Sequence, residues 1–149
     1  MSKFELAQLN IAQMKAPLES PIMAQFVANL DRINAVAESS SGFVWRLKTD
    51  DGNATALRPF GENFLVNLSV WRDVDSLQNY VYKSAHVEIM RRRKEWFDAM
   101  GEAALVLWWV PVGHRPDEGE AAARLEQLRR SGASPDAFTF RQPYPPSPG

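Results

Sequence analysis

The stretch Phe64-Leu65-Val66-Asn67-Leu68-Ser69-Val70-Trp71 decides the fold. Its length and its branched and aromatic content read as a strand. It is apolar at most positions of both faces, so both faces of the sheet it joins must be covered. Residues 104–110 read the same way and carry Trp108-Trp109. A first strand is expected over 4–13, with Leu6, Leu9 and Ile11 apolar and Asn10 polar, and a short one over 43–48 with Phe43, Trp45 and Leu47 on one side. Between these two, Ser20-Pro21 signals a helix start. Phe26, Leu30, Ile33 and Ala37 then form one apolar stripe before the serines 39–41 and Gly42 end the helix. Residues 49–61, with Asp51-Gly52-Asn53, read as loop. Asp73, followed by Ser76 and Leu77, opens a helix to about Tyr82, and another is expected from Ser84 to Met100, stopped by Gly101. Asp117 and Glu120 form a capping box for a last helix, whose Ala121, Leu125 and Leu128 stripe ends at Ser131-Gly132.

The order β-α-β-β-α-β with an added C-terminal helix is the ferredoxin-like split βαβ arrangement, an α+β fold with an antiparallel four-stranded sheet. Two helices cover one face of such a sheet. The second face is therefore expected to meet the same sheet of a second copy, giving a homodimer through sheet faces. One domain is expected over 1–140, including the C-terminal helix. Residues 141–149 read as a Pro-rich flexible tail, since four of the ten prolines fall at or after Pro143.

Composition narrows the chemistry. The 149 residues suit one domain, and 45% hydrophobic with 23% charged residues is the balance of a globular protein. Without cysteine there is no disulfide scaffold, thiol nucleophile or Cys-based zinc or iron–sulfur site. Lys+Arg 17 against Asp+Glu 18 leaves a net charge of −1, so no overall field recruits nucleic acid or an anionic membrane. No apolar run reaches the roughly 18 residues of a membrane span, and no signal peptide is recognisable at the N-terminus. A cytoplasmic location is expected. Nucleophile-elbow, dinucleotide-binding, P-loop and zincin motifs are absent from the sequence. His114 with Asp117 and Glu118 has metal-ligand residue types, but helix capping accounts for Asp117, and no metal site is expected.

The expected helix from Ser84 to Met100 carries the candidate chemistry. At about 100° per residue, Arg93 falls about 20° from His86, inside an apolar arc about 120° wide that includes Ile89, Met90, Trp96, Phe97 and Met100. A guanidinium held toward a core needs a partner, either a protein carboxylate or an anionic ligand. The plainer alternative is a structural ion pair, or an arginine that snorkels to the helix edge. Facing the mid-strand Asn10 and Asn67 and bordered by Trp71, Tyr80 and Tyr82, His86 and Arg93 point to a pocket.

The segments Leu6-Ala7-Gln8-Leu9-Asn10-Ile11, Gly42-Phe43-Val44-Trp45-Arg46, Arg91-Arg92-Arg93-Lys94-Glu95-Trp96-Phe97 and Trp108-Trp109-Val110-Pro111-Val112-Gly113-His114-Arg115-Pro116 resemble the bacterial DUF3291 family over about 4–140. That resemblance implies a dimeric α+β barrel and no assigned activity. Val70-Trp71-Arg72-Asp73, Leu77 and Ser84-Ala85-His86 resemble, more distantly, the pattern of antibiotic biosynthesis monooxygenases, with Ala85 in place of a proline. Those are dimeric barrels that oxidise a bound aromatic without a cofactor, and Trp71 and His86 take the positions of their tryptophan and histidine. Asn10 resembles the first-strand asparagine of related haem-degrading enzymes, whose ligand histidine would fall near Arg91 here.

The resemblance implies a small-molecule-binding barrel, monooxygenase-like and cofactor-independent, acting on an aromatic or anionic metabolite. In that role His86, Arg93 and Asn10 are the expected catalytic residues, and Trp71, Tyr82, Trp96, Phe97 and Asn67 line the substrate. The alternatives are a non-catalytic ligand-binding or stress-related barrel and a haem-binding protein.

Overall fold

A computed structural model describes residues 3–48, 58–84 and 86–146. The Asp51-Gly52-Asn53 loop, Ala85 and the last three residues lie outside the described residues. Strand β1 (Phe4–Met14) runs through the centre of the sheet. On one side it pairs antiparallel with β3 (Phe64–Trp71), from Leu6 opposite Trp71 to Gln13 opposite Phe64. On the other side it pairs antiparallel with β5 (Leu105–Pro111), from Phe4 opposite Pro111 to Asn10 opposite Leu105. Strand β2 (Phe43–Arg46) pairs with β3. The last strand, β4 (Phe97–Asp98), joins β1 at Gln13 and Met14, end to end with β5. The sheet has the expected antiparallel ferredoxin-like order, with five strands where four were expected.

Helices α1 (Ala24–Ser39) and α2 (Val74–Lys83) lie on one face. A 3-10 turn over Pro21–Met23 precedes α1 at the Ser20-Pro21 signal, with Ser20 Oγ donating to the Pro17 carbonyl at 2.6 Å instead of capping the helix. Asp73 caps α2 as the sequence indicates, accepting from the Ser76 amide at 2.8 Å.

The helix expected from Ser84 to Met100 is broken. Helix α3 (His86–Arg91) is followed by a turn at Arg92, a single turn of α4 (Arg93–Trp96), and then β4. The cause is tertiary. Trp96 is buried with Met14, Met23 and Leu65, its ring 5.7 Å from Phe26, and its carbonyl accepts from the Lys15 amide at 2.9 Å. Burying the largest side chain and extending the sheet outweigh the propensity of a few more helical residues. The helical arc computed from His86 therefore stops at Arg91.

The second face, whose apolarity suggested a second copy, is covered from within the chain. Ala121, Leu125 and Leu128 of α5 (Glu118–Ser131) pack on Ala7, Leu9, Val106, Trp108 and Val110. The Asp117 cap that starts α5 accepts from the Glu120 amide at 2.8 Å. The two-sided apolar pattern thus no longer requires a homodimer through sheet faces. The segment after α5 returns to β5. Phe138, fully buried, exchanges backbone hydrogen bonds with Leu107 at 2.7 and 2.8 Å, and the Trp109 indole donates to the Tyr144 carbonyl at 2.8 Å. Of these contacts, the one to Tyr144 falls within the Pro-rich stretch. Among the described residues no helix is long and apolar enough to cross a membrane.

Because Leu125 is 1% exposed and seals the second face, Leu125→Ala should lower the unfolding free energy by about 2–5 kcal/mol in urea titration. A loss under about 1 kcal/mol would show that α5 is not the cover.

Candidate functional site

The period of two sends Leu6, Gln8, Asn10 and Ala12 of β1 to the face under α1 and α2, and the register sets Gln8 beside Ser69 and Asn10 beside Asn67. Four polar side chains thus form the centre of an otherwise apolar face, between Leu6 and Trp71 at one end and Ala12 and Leu65 at the other. Above them lies a cavity of about 530 Å³. Buried polar groups need partners, and three of these four have them. Ser69 Oγ accepts from Trp71 Nε1 at 2.8 Å and from Gln8 Nε2 at 2.8 Å, and Gln8 Nε2 also reaches Asn67 Oδ1 at 2.5 Å. Gln8 and Ser69 are almost closed off, whereas Asn10 and Asn67 open to the cavity. Among the described residues the Asn10 carboxamide has no hydrogen-bond partner, so its donors and acceptor are available to a ligand.

The cavity roof is the α1 stripe of Phe26, Leu30, Ile33 and Ala37. One wall is a run of rings. Phe43 meets Trp71 edge-on at 5.4 Å, Trp71 stacks on Tyr80 at 5.1 Å, and Tyr80 lies 4.9 Å from the His86 ring. Burial pushes the Tyr80 phenol well above its usual range, so it stays protonated, and its hydroxyl donates to the Ile33 carbonyl at 3.4 Å.

His86 begins α3, its amide donating to Ser84 Oγ at 3.1 Å. Burial lowers its imidazole pKa, and the Val81 carbonyl, 3.4 Å from Nδ1, opposes that in part. The ring is therefore neutral at neutral pH. A carbonyl only accepts, so Nδ1 carries the proton and Nε2 keeps its lone pair.

Seven of the eight residues expected at the site line this one cavity: Asn10, Asn67, Trp71, Tyr82, His86, Arg93 and Phe97. Trp96 is instead in the core with Met14 and Leu65, the burial that interrupts the helix. Arg93 is at the cavity but not in an apolar arc. It is exposed, donates to the Met90 carbonyl at 3.3 Å, and makes no ion pair among the described residues. Sequence reasoning missed Gln8, Ser69 and Phe140. Gln8 was legible as the polar residue two before Asn10, and Ser69 as the one two after Asn67, which is one face of a strand. His114 lies outside the cavity, with Nε2 2.6 Å from Glu120 Oε1, while Glu120 Oε2 accepts from the Trp108 indole at 2.9 Å. No group of three or more His, Asp or Glu side chains able to hold a metal occurs among the described residues.

No curated protein matches the sequence significantly. Several solved structures are similar. The NE2512 protein of unknown function from Nitrosomonas europaea has 14% identity, with 77% of this chain and 95% of that one covered, at a TM-score of 0.49. PA3566 from Pseudomonas aeruginosa has 12% identity, with 78% and 98% covered, at 0.49. SnoaB, a cofactor-independent oxygenase from Streptomyces nogalater, has 16% identity, with 76% and 98% covered, at 0.46. The family model of DUF3291, a domain of unknown function, matches residues 5–149, and the chain belongs to that family.

Proposed function

We propose that the cavity binds a flat aromatic molecule with an acidic hydroxyl or methylene and that the protein oxygenates it without a cofactor. The observation that carries this reading is the His86 ring, its Nδ1 3.4 Å from the Val81 carbonyl, on the wall of an aromatic-lined cavity with a polar floor. An apolar slot with a few convergent polar groups is the usual form of a small-molecule site. His86 Nε2 takes the substrate proton as general base. Asn10 and Asn67 donate to the oxygen that gains charge, and Arg93 at the cavity adds a positive charge there. Trp71, Tyr82 and Phe97 bound the ring system.

The substrate anion reduces dioxygen directly. A carbon–oxygen bond forms, the resulting peroxide loses its O–O bond together with the second substrate hydrogen, and water leaves, giving AH2 + O2 → A=O + H2O. Support for the oxygenase step comes from Trp71 and His86, whose sequence positions resemble those of the tryptophan and histidine of the monooxygenases described above.

Oxygen uptake with 1,4-naphthohydroquinone, corrected for spontaneous oxidation, tests the reaction. His86→Gln should lower kcat about 100-fold with KM little changed, the size of effect expected for loss of a general base. Binding of the quinol with no uptake above background would instead identify a non-catalytic binder. A Soret band on titration with haemin would identify a haem-binding protein.

The His86 shift also predicts a pH dependence. The unfolded imidazole takes up a proton as pH falls through about 6.5, whereas the folded one takes it up only at lower pH. Stability is therefore highest above that value and declines below it. Thermal midpoints measured at pH 7.5 and pH 5 should fall more on acidification in the wild type than in His86→Gln, and an equal fall would contradict a buried, neutral His86.

A further inference from the structure

Phe140 belongs to the segment beyond α5, yet it lines the cavity. Its placement follows from the sheet. Phe138 bridges Leu107 on the edge of β5, and Leu107 faces α1 and α2, as Leu6 and Trp71 do. Two residues later Phe140 stands in a turn and lines the cavity on that same side. That turn reverses the chain and is closed by the Gln142 amide donating to the Thr139 carbonyl at 3.2 Å. Both arms of this turn are anchored on β5, one by Phe138 and the other by Tyr144, whose carbonyl takes the Trp109 indole. The Phe138 and Tyr144 rings also meet at 5.9 Å. Phe140 therefore stands at the tip of a hairpin fixed at its base.

At that tip Phe140 meets Tyr82, ring centroids 5.9 Å apart and planes at 67°. Tyr82 is otherwise 56% exposed, in the last turn of α2, one residue after the Val81 carbonyl that holds His86 Nδ1. The edge-to-face pair thus bridges two segments distant in sequence, next to the proposed base.

We propose that the Phe140–Tyr82 pair is the size-selecting wall of the cavity, limiting how far a fused-ring ligand extends past His86. The assignment rests on the reading of the cavity as an aromatic binding site. An anchored wall of this kind excludes larger ligands by steric conflict, since the hairpin cannot retreat without breaking the Phe138 and Tyr144 contacts.

Tryptophan fluorescence titration with 2-naphthol and 2-anthrol, of two and three fused rings, tests the wall. In the wild type 2-naphthol should bind more tightly. Phe140→Ala should shift the ratio of the two dissociation constants at least fivefold toward 2-anthrol, and Tyr82→Ala, at a position exposed enough to leave folding intact, should shift it the same way. Near-UV circular dichroism checks that each variant keeps its packing. Should Phe140→Ala fail to fold, the Tyr82→Ala ratio decides alone. Both probes binding with unchanged ratios in the folded variants would overturn the wall and leave the aromatic site standing. Neither probe binding to the wild type would overturn the aromatic site and the wall with it.

Discussion

The pairing of β1 with β3 is the constraint on which the molecule depends. Eight consecutive pairs, from Leu6 with Trp71 to Gln13 with Phe64, set which side chains share a face. With a period of two, a slip of one residue would exchange the faces of one strand relative to the other. Gln8 and Asn10 would then sit over α5 against Val106 and Leu125, without partners, while Leu9 and Ile11 would form the cavity floor. The cost of unpaired carboxamides in the α5 layer fixes the register and, through it, the site.

The two faces of the sheet consequently behave differently. On the α5 side every contacting strand residue is apolar, so the helix closes down on it and leaves Trp108 and Val106 fully buried. On the other side the α1 stripe cannot close on Asn10 and Asn67 without stripping water from groups to which Phe26, Leu30 and Ile33 offer no hydrogen bond. The rings of Trp71 and Tyr80 occupy one end of this layer, and Met23 and Trp96 the other. Between these ends a cavity persists, with a floor that accepts and donates hydrogen bonds. The same polar residues that weaken the layer as a core make it serviceable as a binding site.

Much of this arrangement is legible in the sequence because it is written in local periodicity. Four of the five described strands, the α1 stripe and the Asp73 and Asp117 caps are all short-range signals, and each appears where it was expected. The failures share a different cause. The 84–100 segment has a continuous helical pattern, and only Trp96, drawn into a core built by Met14, Met23 and Leu65, shows why the helix stops. Arg93 accordingly changes from a cation inside an apolar arc to an exposed one at the cavity. The cover of the second face and the place of Phe140 depend on how α5 and the following segment return to the sheet. No periodicity encodes that return.

The broken helix also sets where the site is least secure. Helix α3, which carries His86, has six residues, too few to be stable alone, and buries none of them fully. Outside contacts hold it: Ile89 on the Met14, Met23, Leu65 and Trp96 cluster, the Tyr80 ring against His86, the Val81 carbonyl at Nδ1, and a partly exposed Arg32–Glu88 pair at 3.4 Å. The last of these contributes little in water. The floor, by contrast, is made of the two central strands and opens only with the sheet. Moving α3 breaks these side-chain contacts, whereas moving the floor breaks the β1–β3 backbone ladder. Asn10 and Asn67 are thus positioned by the sheet itself, while the placing of His86 depends on side-chain packing around a short helix.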